Sequence, residues 1–264
     1  MSILIMAAPN GARKTKSDHP NLPLTVAETV AAASAAHGAG AGMLHAHVRD
    51  DDGAHSLDPH RYRDLLDQMA ETCPNMPCQI TTEAVSKYSP QDQAACLRDV
   101  APDFASVAIQ ELTGDQSQAA VDFASGVIRD AGQQLTHIQY ILYGPEDLRL
   151  LRQMHDDGQL GDAPLDALFV LGKYNPGFKS HPDELDPFLR HDLRFLRSWS
   201  VCAFGPLEYD VMVKAAGLGG HARVGFENNL YLRDGTIAED TAELVAQLAK
   251  AIDPMADGRL LFTR

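Results

Sequence analysis

Residues 42–72, GMLHAHVRDDDGAHSLDPHRYRDLLDQMAET, run through an apolar stretch, a polar turn, a capping residue followed by proline at Asp58-Pro59, and an amphipathic segment. That order is a strand, a connection and a helix, the unit from which parallel sheets with crossover helices are built. The unit recurs. Working outward, the strand candidates are SILIMAA near Ser2, GMLHAHV from Gly42, CQITT from Cys78, FASVAI from Phe104, THIQYIL from Thr136, DALFVLG from Asp166, WSVCAF from Trp199 and HARVGF from His221. Helix starts are marked by proline at the first helical position, where its missing amide hydrogen costs nothing: Asp58-Pro59, Ser89-Pro90, Gly144-Pro145, His181-Pro182 and Gly205-Pro206. The first helix instead carries Thr25 and Glu28 at capping-box spacing, and its run VAETVAAASAAHGAGA ends in glycines.

Eight such units in a chain of 264 residues predict a (β/α)8 barrel rather than an open doubly wound sheet, which more often has five to seven strands. No composition break divides the chain, so residues 1–264 read as one barrel domain, with those after about 253 a C-terminal extension. Composition is that of a soluble globular protein, 45% hydrophobic and 22% charged. With 36 acidic against 22 basic residues and a net charge of −14, the chain is a poor partner for nucleic acid, whose phosphates demand basic surface. The start MSILIMAAPNGARK has no basic region ahead of its apolar run and reads as a strand rather than a signal peptide. No stretch approaches membrane-span length. Cys73, Cys78, Cys96 and Cys202 lack zinc-knuckle spacing and read as buried thiols of a cytoplasmic protein.

In a (β/α)8 barrel, function sits at the carboxyl ends of the strands and in the loops that follow. The loop candidates are PNGARKTKSDHPNLP, RDDDGAHSLDP, EAVSKYS, QELTGD, KYNPGFKS and ENNLYLRDG. At the second strand end stands His45-Ala46-His47-Val48-Arg49-Asp50. Residues two apart on a strand face one side, so His45 and His47 present two imidazoles to one point. An isolated H-x-H also suits core histidines bonded to backbone carbonyls; its place at a strand end favours metal. In RVGFENN, Arg223 and Glu227 share a parity that faces both to the barrel axis, with Glu227 at the rim. Two histidines and a carboxylate suit zinc with a position left open, as in a catalytic site. Arg223 beside the ion favours an anionic substrate group, or forms an ion pair with Glu227 or Asp50.

The segments AAPNGARKTK, HPNLPLT, LHAHVRDDDG, DPHRY, QITTE and GGHARVGFENNLY resemble the β-keto acid cleavage enzymes, a zinc-dependent barrel family, over about Ile3 to Val245. The resemblance implies exchange between a β-keto acid and acetyl-CoA to give acetoacetate and a new acyl-CoA, on a homotetramer of (β/α)8 subunits. It implies one zinc ion per subunit held by His45, His47 and Glu227, with Arg223 as the site arginine and Thr81 in contact with substrate. Zinc on a keto oxygen and carboxylate would stabilise an enolate able to attack a thioester.

Three departures from the family pattern bear on the chemistry. G-L-E-D-N reads G-F-E-N-N here, which puts Asn228 where an aspartate moves a proton. An amide is no base, so either Glu83 or Glu111 takes the proton or Asn228 only positions substrate. Glu83, with a salt bridge to Lys87 or Arg13 as its alternative role, leads Glu111 as the base. Arg13 stands where the aminohexanoate-cleaving member has a glutamate, so the substrate should carry a neutral or acidic side chain, unless Glu83 cancels Arg13. Gln110, Glu111 and Tyr143 would reshape the acyl pocket, with Glu111 a candidate substrate contact.

Lys14, Lys16, Lys87, Lys173 and Lys179 could gather the polyanionic CoA or be solvated surface. His55, His60, His155, His181 and His191 read as surface, and Asp50 to Gly53 as a turn in which Asp50 could orient a histidine ligand. Metal-dependent hydrolysis, an aldolase-type lyase and a catalytically silent metal- or acid-binding barrel are the alternatives.

Overall fold

In the computed structural model, which describes residues 2–161, 163–177 and 179–261, the apolar runs become short, almost wholly buried strands. They are β1 (Ile5–Ala7), β2 (Met43–Ala46), β3 (Val48–Arg49), β4 (His55–Ser56), β5 (Cys78–Thr81), β6 (Phe104–Ala108), β7 (His137–Leu142), β8 (Leu165–Leu171), β9 (Leu196–Ala203) and β10 (His221–Val224). Eight of them close a parallel barrel in chain order: β1, β2, β5, β6, β7, β8, β9 and β10, with β10 pairing back onto β1 through Ile5↔Ala222 and Ala7↔Val224. The (β/α)8 architecture is as the sequence predicts. Parallel strands covered by helices outside and packed inside have no wet face, hence their near-complete burial, with polar side chains such as Gln79, Ser106 and Gln139 enclosed among apolar ones.

The helices are α1 (Val26–Gly38), α2 (Pro59–Thr72), α3 (Pro90–Val100), α4 (Ile109–Thr113), α5 (Gln118–Gln133), α6 (Pro145–Asp156), α7 (Asp186–Leu189), α8 (Glu208–Gly217) and α9 (Thr241–Ala249). Thr25 and Glu28 form the expected capping box, and Asp58, Ser89 and Gly144 stand before prolines that open α2, α3 and α6. The shell packs on the outward strand residues: Phe169 of β8 stacks on Phe188 at 4.4 Å between ring centroids and on Trp199 at 5.7 Å.

Local expectations shift at four places. The second strand stops at Ala46 instead of running through Val48, because Asn10 takes over the His47 backbone, accepting from its N–H at 3.2 Å and donating to its carbonyl at 2.8 Å. Val48–Arg49 then pairs antiparallel with His55–Ser56 in a small hairpin over the barrel mouth. QELTGD, expected as loop, holds the short helix α4. His181-Pro182 opens only a 3-10 turn, and α8 starts at Glu208, two residues after Pro206, following a turn in which Glu208 N–H donates to the Gly205 carbonyl at 3.1 Å. At the opposite end, residues 253–261 fold back under the barrel: Ile3 bridges Pro254, and Met255 and Leu261 pack on Leu4, Met6, Met43 and Phe104.

Candidate active site

His45 lies on β2 and His47 one residue beyond it, both buried. Glu227 reaches them by a turn rather than by the strand parity expected of it, since β10 ends at Val224. Gly225 adopts φ +144°, and a side chain there would run into the carbonyl of Ala8; the turn is closed by Asn228 and Asn229 N–H groups donating to the Gly225 carbonyl at 2.9 and 3.0 Å. Glu227 N–H donates to Ala8 at 3.0 Å, which pins its side chain over the barrel axis.

There, Glu227 Oε1 accepts from Arg223 Nη2 at 2.9 Å, while Oε2 lies 3.4 Å from His45 Nε2 and 3.6 Å from His47 Nε2. One ligand-type atom from each of the three lies within 4.8 Å of the others. His47 Nε2 and Glu227 Oε2 are buried without a hydrogen-bond partner. Orphaned acceptors of this kind are costly in a protein interior, and two imidazole nitrogens with a carboxylate oxygen fit a divalent transition metal. Burial and then the charge of Arg223 push His45 down to about 3, which keeps it in the neutral form a metal needs. Burial alone would raise the Glu227 carboxyl, but Arg223, with His45 and His47 beside it, holds it well below the usual range. The two readings of Arg223, ion pair with Glu227 and site residue, are thus one arrangement; its Nη2 also meets Cys202 Sγ at 3.3 Å.

The three lie in a recess of about 20 Å³, room for a water or an ion, whose walls include Thr81, Glu83, Lys173 and Arg223. Glu83, Lys173, Phe204 and Glu227 also line a cleft of about 360 Å³ bordered by Asn10, Arg13, Lys14, Asn228 and Tyr231. Glu83 Oε1 accepts from Lys173 Nζ at 2.7 Å and from Arg13 Nη1 at 3.0 Å. Burial opposes its ionisation, yet the Lys173 charge and hydrogen bond bring it down to about 2. Of its two expected partners, Arg13 is the one found; Lys87 stands 4.0 Å from Asp50 instead. Both amide atoms of Asn228 are buried without a partner. Thr81 Oγ1 accepts from Glu83 N–H at 3.1 Å.

Glu111 is elsewhere. It lines neither cavity, and its Oε2 accepts from Ala84 N–H and Gln93 Nε2, both at 2.9 Å, fastening the loop after Glu83. Asp50 caps its own turn by accepting from Asp52 N–H and Ala54 N–H, and its partners include neither His45 nor His47. His55, expected at the surface, is not there, and Lys173, read as a CoA-gathering group or solvated surface, is not solvated. His55 is buried against His47, and Lys173 is tied to Glu83, because the β3–β4 hairpin and the loop after β8 fold inward over the mouth. Lys14 likewise donates to the Glu227 carbonyl at 2.7 Å rather than being solvated. His60, His155, His181 and His191 are exposed or half-buried as expected. Sequence reasoning passed over Asn10, Gln79 and Arg49. Arg49 ties down the first loop by donating to the carbonyls of Gly11 at 2.6 Å and Lys14 at 3.0 Å, and its place in H-x-H-V-R-D was the available signal.

Behind the Glu227 turn, Glu208 Oε1 accepts from Gly225 N–H at 3.3 Å and Oε2 from Asn229 Nδ2 at 3.2 Å. Complete burial pushes this carboxyl up to about 8. In the unfolded chain it ionises near 4.5, so the fold holds an extra proton between those values and loses stability as pH rises from about 4.5 to about 8, then levels off. Urea unfolding of wild type and Glu208→Gln at pH 5 to 9 should therefore show the difference between them changing by on the order of 4 kcal/mol in favour of the variant. A difference that does not vary with pH would reject the shift.

The family model for beta-keto acid cleavage enzymes matches residues 2–258. A 3-keto-5-aminohexanoate cleavage enzyme from Acetoanaerobium sticklandii is 29% identical over 257 residues, covering 94% of this chain and 90% of that one. A 3-oxoadipate:acetyl-CoA acetyltransferase from Cupriavidus necator is 30% identical over 260 residues, covering 93% and 87%. Among solved structures, apo ObcA superposes with a TM-score of 0.68 at 17% identity, over 88% of this chain and 61% of that chain, which speaks to the barrel fold. With a match across nearly its whole length and a His-His-Glu cluster at the barrel mouth, the chain belongs to the β-keto acid cleavage enzyme family.

Proposed function

We propose that this chain is an acetyl-CoA-dependent β-keto acid cleavage enzyme in which His45, His47 and Glu227 hold a divalent metal, zinc foremost. The observation that carries the reading is the pair of buried, unpartnered acceptors His47 Nε2 and Glu227 Oε2 beside His45 in a family member. In the reaction the CH2–COO⁻ unit of the keto acid passes to the acetyl group, giving acetoacetate, and CoA passes to the remaining acyl group. A bound ion supplies Lewis-acid stabilisation of negative charge on the keto oxygen.

The chain's own residues do the rest. Arg223 holds Glu227 in place through Oε1. Asn228, with a free amide donor and acceptor at the cleft, positions substrate rather than acting as base. Glu83, the carboxylate of the recess other than Glu227 among the described residues, takes the proton from the substrate methylene. Thr81 lines the same recess as a substrate contact, while the Glu111 bond to Ala84 supports a role in holding the loop rather than in binding substrate. Arg13 keeps its effect on specificity although Glu83 pairs with it, because Glu83 pairs with Lys173 as well: one carboxylate between two cations leaves one positive charge. An ammonium-bearing substrate is repelled, and a neutral or acidic side chain is accepted. The family resemblance supports a homotetramer, and four buried free thiols suit a reducing cytoplasm. Residues 254–261 serve as an extension that closes the barrel base.

The test is to incubate the zinc-loaded protein with acetyl-CoA and β-keto acids of differing side-chain charge, following acetoacetate and acyl-CoA by mass spectrometry. Products are expected from neutral or acidic members. Products from ammonium-bearing members alone would overturn the Arg13 reading, and turnover without acetyl-CoA would replace acyl exchange by hydrolysis.

A further inference from the structure

We propose that His55 is a positioning residue that fixes the tautomer of His47, so that the Nε2 lone pair of His47 faces Glu227. The inference rests on the metal-site reading above and adds a residue outside the ligand set. His47 Nδ1 lies 3.3 Å from His55 Nδ1, and the other nitrogen of His55, Nε2, lies 2.9 Å from the backbone carbonyl oxygen of Glu83. A carbonyl oxygen only accepts, so the hydrogen of His55 sits on Nε2. A neutral imidazole carries one N–H, which makes His55 Nδ1 an acceptor. The hydrogen shared by the two rings therefore belongs to His47 Nδ1, and His47 Nε2, 3.6 Å from Glu227 Oε2, carries none. The opposite tautomer would set two lone pairs against each other between rings that are 2% and 3% exposed.

His45 is fixed by different chemistry to the same end. Its Nδ1 lies 2.8 Å from Gln79 Oε1; Gln79 Nε2 donates to Gln139 Oε1 at 3.3 Å, and Gln139 Nε2 to Ser200 Oγ at 3.2 Å. That chain of amides across the barrel leaves His45 Nε2 free in turn. Both nitrogens of His55 are spoken for, so it is not a fourth ligand. The β3–β4 hairpin delivers it, in a register that sets His55 opposite Arg49. Through the Glu83 carbonyl, His55 also links the ligand to the loop that Glu111 fastens at Ala84, so displacement of that loop loosens His47.

Two substitutions and one spectrum test this. His55→Phe keeps a planar ring and removes both bonds; His55→Gln supplies one acceptor and one donor. In chelator competition with Zn²⁺ and Co²⁺, His55→Phe should bind about 10- to 100-fold more weakly and His55→Gln should recover most of the loss, the range expected when a ligand's orienting partner is removed. Long-range ¹⁵N–¹H correlation spectra of the metal-free wild type should place the His47 hydrogen on Nδ1. Affinity in His55→Phe within about twofold of wild type would overturn the inference. So would a His47 hydrogen found on Nε2, a measurement that needs neither metal nor a variant. A wild type that takes up neither ion would instead reject the metal-site reading, with the spectrum still deciding the role of His55.

Discussion

Glu227→Gln is expected to weaken divalent-metal binding by roughly a hundredfold to a thousandfold, with turnover falling in step, because a neutral amide replaces the one anionic ligand of the set. The glutamine can still accept from Arg223, which donates to Glu227 Oε1 at 2.9 Å, so the fold should survive. Glu227→Ala differs: it leaves Arg223 buried and unpaired, at a cost of about 3–5 kcal/mol in stability besides the lost metal. Comparing the two by metal content, turnover and thermal unfolding separates ligand loss from structural loss. His45→Ala should mimic the first effect, since His45 makes no ion pair that the fold depends on apart from its contact with Glu227. Full metal retention in both Glu227→Gln and His45→Ala would remove the assignment of the site.

Glu83→Gln should lower kcat by about 10²- to 10⁴-fold, the usual contribution of a positioned base. The difficulty for Glu83 is its environment: with Lys173 and Arg13 on one oxygen it titrates at about 2 and is a weak proton acceptor at rest. An anionic substrate that draws Lys173 and Arg13 to itself relieves that hold and raises the basicity of Glu83 at the moment it is needed. The pH dependence of the rate reports this. The acid limb of kcat, which belongs to the substrate complex, should lie at higher pH than that of kcat/KM, which belongs to the free enzyme. Near-normal turnover of Glu83→Gln would end its candidacy as base and leave it as the residue that holds Lys173.

Legibility in the sequence followed the range of the forces involved. Strands β5, β6 and β7 were readable because short runs rich in apolar residues lie between turn signals, and α1, α2 and α3 because caps at Thr25, Asp58 and Ser89 are local chemistry. The break after Ala46 was not readable, since it depends on Asn10, 37 positions from His47. Nor was the late start of α8, since a Gly205-Pro206 pair looks the same whether a helix or a turn follows it. The bonds of the Glu111 carboxylate to Ala84 and Gln93 were not readable either, since they join separate loops.

By itself the sequence determined the (β/α)8 barrel, the family, and the three side chains that meet at its mouth, because hydrophobic periodicity, caps and the H-x-H and E-N-N motifs are all properties of neighbours in the chain. Only the tertiary structure decided which charges meet in the cleft, with Glu83 held between Arg13 and Lys173, and which buried groups bond the two histidines, namely Gln79 to His45 and His55 to His47. Charge cancellation and hydrogen-bond direction depend on distances of a few ångströms between residues 8 to 90 positions apart, and those distances exist only once the barrel has closed.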